Sequence, residues 1–199
     1  LNTDSDGKVD LPLTEFYMDQ NVRYITTNNH TIKVFKAGYT KNETVLSANI
    51  SQNVNLTISD LACGMTLSAD SVLGADLNSS GTCFTINSNG VELDGNNYTI
   101  TGDQTGSAVV AGNSSEVRIK DLTVDNFSIG IWLERQNATN LTNTWIRNST
   151  QGLFIEDGTN DRFKSSNFSG NTVHDLNVTS SFSTSNYLLN LSMEPGVNL

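Results

Sequence analysis

The sequence has few of the residues that most kinds of chemistry require. Its 199 residues include two prolines, two cysteines, two histidines and 11 Lys or Arg against 21 Asp or Glu, for a net charge of −10. So few basic residues exclude a nucleic-acid surface, because phosphates are neutralised by clustered Lys and Arg. The two histidines, His30 and His174, both fall near predicted turns, so metal or triad chemistry is not expected. No apolar run approaches the roughly 18 residues of a membrane span, so none is predicted in this segment.

Asparagine is abundant instead, often followed two positions later by serine or threonine. Fourteen such N-glycan acceptor sequons occur, where random placement would give roughly six. They begin at Asn29, Asn42, Asn49, Asn55, Asn78, Asn97, Asn113, Asn126, Asn137, Asn140, Asn148, Asn167, Asn177 and Asn190. Their density predicts an extracellular or cell-surface glycoprotein. The alternative is that turns and polar ladders favour these residues without any glycan. Because the chain begins at Leu1 and not at Met, we also expect a mature piece of a longer product.

The first region, residues 1–60, is predicted to be a small antiparallel β unit of about four strands. Its alternating apolar residues are Tyr24, Ile32, Val34, Val45, Ile50, Val54, Leu56 and Ile58. The segments "TDSDGKVDLPLTEF" and "HTIKVFKAGY" resemble the second half of carboxypeptidase-regulatory-like, prealbumin-type β-sandwiches of the Ig-like class, whose strand ends in Gly-Tyr, here Gly38-Tyr39. Such domains begin with further strands. The resemblance therefore implies a partial sandwich that upstream residues or a neighbouring molecule complete.

The segment "NTDSDGKVD" also looks like the start of a calcium loop. Its twelfth position, which needs a bidentate Glu in an EF-hand, is Leu13, so an EF-hand is not expected. A looser calcium site formed by Asp4, Asp6 and Asp10 and a plain turn are the two interpretations that remain. No other cofactor is predicted.

The second region, residues 61–199, repeats every 22 or 23 residues and contains no helical pattern. Apolar residues recur in columns, which are Ile119, Leu141 and Phe163; Val124, Ile146 and Phe168; and Val110, Leu133 and Ile155. A fixed period of this length predicts an all-β solenoid of about six coils, whose short strands are joined by Asn, Gly and Ser corners. The leucine-rich repeat motif and the six-residue beat of left-handed helices are absent.

Residues 63–102, "CGMTLSADSVLGADLNSSGTCFTINSNGVELDGNNYTITG", resemble the opening coils of right-handed parallel β-helix modules. Such modules are common in archaeal and bacterial surface proteins and in carbohydrate-active β-helix proteins. The shared pattern is Cys-Gly, a dispersed leucine ladder, Asp-Leu, a second Cys before an apolar strand, Leu-Asp-Gly and Ile-x-Gly. The resemblance implies a right-handed parallel β-helix. Cys63 and Cys83 lie 20 residues apart, about one coil, so stacked coils would place them within reach of a disulfide; two free thiols are the alternative.

The segments "GIWLE" and "GLFIE" place Glu134 and Glu156 22 residues apart. In a solenoid the two acids would stack roughly 5 Å apart, which is also the carboxyl separation of a retaining glycosidase. Any solenoid of this period produces that spacing, however, and the column breaks at Ala111 and Thr179. No motif places a further charged group to differentiate the two acids. We therefore predict no catalytic residue. The outward face formed by Trp132, Glu134, Phe154 and Glu156 is predicted to be a contact surface, with glycan or cation binding as the alternative.

Two enzyme classes of this fold have motifs that can be sought in this sequence. Of the four polygalacturonase motifs, "RIK" occurs at Arg118–Lys120, where an outward basic pair around a buried Ile119 explains it. The motif "NTD" occurs only at Asn2–Asp4, before the repeats, and the other two motifs are absent. A pectate-lyase-like site needs a calcium-binding Asp cluster and an Arg base, for which Asp157, Asp161 and Arg162 are a sparse candidate. The chain is therefore predicted not to be an enzyme.

These observations lead to one function and two alternatives. Asn126, Asn148 and Asn171 are assigned to one corner column whose amides bond one another, so glycans are expected elsewhere, at Asn29, Asn42, Asn78, Asn113, Asn137 and Asn140. We predict an extracellular structural glycoprotein, a subunit or segment of a microbial filament, surface layer or adhesin. It would self-assemble by strand pairing and by stacking of the solenoid end near "LLNLSMEPGVNL", which lacks a polar cap. The alternatives are a carbohydrate-binding or polysaccharide-cleaving β-helix protein that uses the Trp132 to Glu156 face, and an adhesin without self-assembly.

Overall fold

The computed structural model describes residues 16–19, 22–25, 29–34, 37–47, 60–179, 187–190 and 192–193. These residues form strands, turns and bends without a helix, which confirms the all-β class. Within them, accordingly, nothing helical is long and apolar enough to cross a membrane. The chain separates into two compact units, Leu1–Lys33 with Glu43–Leu56 and Val34–Asn42 with Thr57–Leu199.

In the first unit, the described residues form two strand pairs. Its strands are β1 (Phe16–Asp19), β2 (Val22–Ile25), β3 (Asn29–Val34) and, after the short β4 (Tyr39–Thr40) of the second unit, β5 (Asn42–Ser47). β1 pairs with β2 in an antiparallel hairpin, and β3 pairs with β5. Asp4, Asp6 and Asp10 lie outside the described residues, and so do Ile50, Val54, Leu56 and Ile58. The calcium loop and the partial sandwich therefore stay predictions.

The second unit is a parallel β-solenoid of about five turns, where the sequence predicted about six. Its strands are β6 (Met65–Leu67), β7 (Ser71–Val72), β8 (Leu77–Asn78), β9 (Phe84–Ile86), β10 (Glu92–Asp94), β11 (Thr99–Thr101), β12 (Ser107–Gly112), β13 (Arg118–Asp125), β14 (Ile129–Glu134), β15 (Asn140–Arg147), β16 (Gln151–Glu156), β17 (Arg162–Lys164), β18 (Asn167–Ser169), β19 (His174–Thr179), β20 (Tyr187–Leu189) and β21 (Ser192–Met193). One sheet has the order β6-β9-β12-β14-β16-β19, and the other follows β7-β10-β13-β15-β17-β20. The short antiparallel strand β4 pairs with β7.

Register pairing tests the predicted interior columns. Two columns are confirmed, because their members are partners on successive turns and are buried: Ile119, Leu141 and Phe163; Val124, Ile146 and Phe168. The third is wrong by one residue. Leu133 pairs with Ala111, while Val110 lies beside Trp132. The step between these turns is 22 residues, and the assumed step of 23 shifts a side chain to the opposite face of its strand.

Left-handed corners explain why the period stays at 22 residues. In three successive turns, four positions per turn have positive φ: Asn113, Arg135 and Asp157; Glu116, Ala138 and Asn160; Asp121, Asn143 and Ser165; Asn126, Asn148 and Gly170. Backbone N–H groups at these corners continue the hydrogen bonding between neighbouring turns; for example, the Asn113 N–H donates to the Glu134 carbonyl at 2.9 Å. Asn and Asp recur at these corners because short polar side chains tolerate this conformation best after glycine.

The corner pattern corrects the predicted asparagine column. Gly170, and not Asn171, follows Asn126 and Asn148 at the corner. Asn171 is buried one residue further on, where its Oδ1 accepts the Ser149 N–H at 3.0 Å. Its Nδ2 donates to Asp175 Oδ1 at 2.7 Å. Asn171 therefore bonds within the interior and does not extend the corner column.

Cys63 and Cys83 lie at disulfide distance, with their sulfur atoms 2.01 Å apart. Cys83 is fully buried directly before β9, and Cys63 lies two residues before β6, the strand that pairs with β9. A bond here closes a loop of about one turn, which stabilises a domain by roughly 3 kcal/mol in the chain-entropy account.

Gly130 and Gly152 open the segments "GIWLE" and "GLFIE" because no Cβ fits there. A Cβ at Gly130 would lie 2.6 Å from the Gly152 carbonyl oxygen and closer still to Cγ2 of Ile146. A Cβ at Gly152 would lie 2.5 Å from the Asp175 carbonyl oxygen. The shared glycine is therefore a packing requirement between turns.

We predict that Gly130→Ala destabilises the fold by about 1–3 kcal/mol, because backbone on the next turn must shift to admit the methyl group. Thermal unfolding followed by circular dichroism measures the effect. Gly112→Ala is the matched control on the neighbouring strand β12, where the nearest atom to an added Cβ is Asn87 Oδ1 at 3.5 Å. Equal melting temperatures for the two variants would contradict the packing argument.

Candidate functional site

The outer surface of β14 and β16 carries the predicted contact face, termed here the aromatic–acidic face: Trp132, Glu134, Phe154 and Glu156. The intervening Ile131, Leu133, Leu153 and Ile155 are buried, so the side chains alternate as expected for a half-buried sheet. Trp132 pairs with Phe154 and Glu134 with Glu156 in register. The two ring centroids lie 5.8 Å apart at an interplanar angle of 34°.

The chemistry available at this face is limited. Glu134 forms an ion pair with its neighbour Arg135. The Trp132 indole N–H is buried and has no hydrogen-bond acceptor among the described residues, so it is enclosed and not presented to a ligand. In register, Gly112 precedes Glu134 on the previous turn and Thr179 follows Glu156 on the next. The predicted neighbour Ala111 is therefore wrong by one residue, and Thr179 is confirmed. The ion pair with Arg135 thus involves only one of the two stacked acids, and the prediction of a contact face stays a prediction.

A charged ladder on the other sheet was missed by the sequence analysis; it consists of Asp70, Glu92, Asp94, Arg118 and Lys120. Arg118 lies 3.0 Å from Glu92, and Lys120 lies 3.1 Å from Glu92 and 3.2 Å from Asp94. Asp70 Oδ1 accepts the Glu92 N–H at 2.8 Å. Register explains these contacts, because Glu92 pairs with Arg118 and Asp94 with Lys120. The alternating segments "ELD" and "RIK" were the available signal.

The ladder changes the protonation equilibria of its members. Burial alone would raise the pKa of Glu92, but hydrogen bonds from Arg118 and Lys120 outweigh it and lower the pKa. The hydrogen bond to Glu92 and the contact with Asp94 raise the pKa of Lys120, although burial opposes them. In the "RIK" tripeptide, Arg118 and Lys120 therefore lie on either side of the buried Ile119, and both cations already form ion pairs with acids of the ladder.

The three residues of the sparse lyase-like candidate, Asp157, Asp161 and Arg162, lie in different settings. Asp157 occupies a left-handed corner, and Arg162 is exposed at the start of β17. Asp161 is fully buried, and its Oδ1 accepts the Thr139 N–H at 2.8 Å. Burial raises the pKa of Asp161 to about 6, against the opposing hydrogen bonds from Thr139. Within the described ranges, no three His, Cys, Asp or Glu residues are grouped so that they could hold a metal ion.

The predicted glycan sites lie in different settings. Asn78, Asn113, Asn137 and Asn140 are exposed on the solenoid. Asn29 begins β3, and Asn42 begins β5 and is half-buried. Of the asparagines expected to be hidden, Asn126 is half-buried and donates to the Gly102 carbonyl at 2.8 Å, but Asn148 is exposed and donates to Asp125 Oδ1 at 2.9 Å. Their amides thus bond other residues and not each other.

The buried Asp161 predicts a pH-dependent stability. Its folded pKa of about 6 lies above the unfolded value, so the folded state holds a proton that the unfolded state has released. Stability from this group is complete below about pH 4 and is lost as the pH rises through about 6, a decrease of about 3 kcal/mol. Asp161→Asn keeps an acceptor for Thr139 and removes the titration. Urea unfolding between pH 4 and 7 should show the decrease in the wild type and a flatter profile in the variant. Parallel profiles would contradict this assignment.

Comparison with protein-family models, curated proteins and solved structures finds no match to this chain. Of what the resemblance to right-handed parallel β-helix surface modules implied, the parallel β-solenoid is present in the structure. The right-handed sense, the family and the microbial surface role stay predictions. The candidate site is therefore defined by the geometry of this chain alone.

Proposed function

We propose that this chain is part of an extracellular structural glycoprotein, a subunit or segment of a microbial surface filament, surface layer or adhesin. The observation that carries the proposal is the placement of the sequons on the outside of the turns. Asn113 stands at a left-handed corner, and Asn137 bridges Ser115 and Thr159 on the turns either side of it. Both are exposed, which suits a bulky glycan.

Contacts between successive turns support a scaffold role. Charged side chains pair with the turn before them, as in the charged ladder and in the 3.1 Å contact of Arg147 with Asp125. The interior is a continuous apolar core that runs from Leu61 to Leu176. A solenoid held by contacts between neighbouring turns is an extended, repetitive rod that suits mechanical assembly.

The last strand of the six-stranded sheet supports assembly by stacking. Val178 continues the inward column of Leu133 and Ile155, yet it is 45% exposed. Val173, just before the same strand, is 48% exposed. An interior column that ends in exposed apolar side chains offers the surface that a further turn or a second subunit covers.

The alternative function is binding or cleavage of an acidic polysaccharide through the aromatic–acidic face. The side-by-side aromatic rings and carboxylates favour it. Two features count against it: Trp132 and Phe154 pack on each other, and a surface with two carboxylates repels uronic acids. We therefore assign this face to a protein contact.

Glycopeptide mapping of protein isolated from its natural source tests the glycoprotein proposal. We expect glycans at the exposed Asn78, Asn113, Asn137 and Asn140. The half-buried Asn126 and Asn177 serve as internal controls and should be unmodified, since their amides donate to Gly102 O and Gln151 Oε1 at 2.8 Å. An unmodified chain, or one modified mainly at the control positions, would overturn the proposal.

Substituting Val178 tests the assembly proposal. Val178→Lys places a charge at the exposed end of the apolar column, so self-association should weaken by at least tenfold in sedimentation velocity, and filaments or sheets should disappear from electron micrographs. Thr105→Lys adds the same charge at an exposed bend of an earlier turn, away from the last strand of the sheet, and should assemble normally. The stacking proposal fails if Val178→Lys assembles like the wild type or if both variants are equally defective.

A further inference from the structure

A shallow groove lies on the outside of the sheet that contains β13 and β15, whereas the aromatic–acidic face lies on the sheet that contains β14 and β16. Its volume is about 240 Å³. It is lined by Asn97, Asp121, Leu122, Thr123, Asn143 and Trp145. Leu122 is nearly fully buried and forms an apolar floor, whereas Trp145 is 52% exposed.

Trp145 is presented to solvent by the alternation of β15. Its neighbours Thr144 and Ile146 are buried, so the indole points outward. In register it stands between Thr123 on the previous turn and Asn167 on the next, and neither extends an aromatic column. Covering an exposed indole removes apolar surface from water, so a partner that packs on it gains free energy. Among the aromatic side chains that the structure describes, it is the most exposed and is free to meet an external partner.

The polar rim of the groove comes from stacked corners. Asp121 and Asn143 occupy equivalent left-handed corners on successive turns, and Asn143 Nδ2 donates to Asp121 Oδ1 at 2.6 Å. This bond fixes the two side chains beside the indole. Asn97, on the turn before, is exposed and donates its backbone N–H to the Asp121 carbonyl at 2.8 Å. The lining thus offers one carboxylate, two amides and a hydroxyl, with no positive charge.

We propose that this groove binds one ring of a neutral sugar. The C–H face of a pyranose carries partial positive charge and packs on the negative face of the indole. Its hydroxyl groups donate to the Asp121 carboxylate and accept from the Asn143 or Asn97 amide, which together supply both senses of hydrogen bond. The negative charge of Asp121 disfavours uronic acids. A cationic ligand would use the carboxylate and the indole but leave the amide donors without a role.

The sugar has two possible sources with the same chemistry. Asn97 lines the groove and begins the sequon Asn97-Tyr98-Thr99, so a glycan attached there starts at the rim. A separate neutral glycan, free or on a neighbouring molecule, meets the same surface. The proposal concerns the ring seated on Trp145, and the experiment distinguishes the two sources.

The test uses the full chain produced without glycosylation and a panel of neutral hexaoses of glucose, mannose and N-acetylglucosamine, with hexagalacturonate as the charged comparison. Nitrogen-15 NMR follows the indole N–H signals separately, because the chain has two tryptophans. A neutral hexaose should shift the Trp145 signal in a saturable manner and leave Trp132 unchanged. Hexagalacturonate should bind at least tenfold more weakly.

Three variants separate the roles of the lining. Trp145→Ala should weaken hexaose binding at least tenfold, measured by calorimetry, and Asp121→Asn about tenfold, through loss of a charged hydrogen bond. Asn167→Ala, next to Trp145 in register but outside the groove, should bind as the wild type does. Circular dichroism verifies that each variant folds.

Four results would overturn the proposal: no neutral hexaose shifts the Trp145 signal, binding survives in Trp145→Ala, hexagalacturonate binds as tightly as the neutral sugars, or an oligolysine probe binds more tightly than they do. A Trp145 signal that changes with protein concentration alone would instead assign the indole to a contact between copies. In protein from the natural source, a Trp145 signal that is already shifted and returns with Asn97→Gln identifies the chain's own glycan as the occupant. A signal unaffected by Asn97→Gln identifies a separate sugar.

Discussion

The structure of the second unit depends on the in-register stacking of one 22-residue turn on the next. Parallel hydrogen bonding fixes each residue of β13 beside the residue 22 positions later on β15, and β14 is fixed on β16 in the same way. Interior columns, left-handed corners and the glycine pair Gly130 and Gly152 all follow from that pairing. An insertion of one residue would exchange inward and outward side chains for a whole turn.

In-register stacking also separates the surface features that the repeat produces from those that indicate a function. Stacking produces pairs automatically, so Trp132 on Phe154 and Glu134 on Glu156 are consequences of the repeat. The features that the repeat does not require carry more information about function. Trp145 interrupts a column of polar residues, and its exposure has no role in the stacking of turns. The charged ladder, by contrast, uses its outward charges to join neighbouring turns and leaves little of them for a ligand.

Much of the fold was predictable from the spacing of apolar residues. The columns of Ile119 and Val124 were placed correctly, because buried strands carry a period-2 signal within each repeat. The column containing Val110 and the corner assigned to Asn171 were each wrong by one residue, since nearby Asn, Ser and Gly residues permit alternative corner positions. Less of the candidate site was predictable. The aromatic–acidic face was predictable because its residues recur at the same positions of two successive repeats. The charged ladder and the groove combine side chains from several strands and corners, which the repeat alone does not align.

The sequence by itself determined the all-β class, the period and most of the inward side chains, because these depend on short-range alternation that can be read along the chain. Only the tertiary structure decided which outward side chains meet. It pairs Lys120 with Glu92 and Asp94, turns Asp161 into the interior and places Trp145 beside the Asp121–Asn143 pair. The physical reason is the corners: each left-handed residue sets how many positions separate one strand from the next, and that number determines which side chains lie against each other.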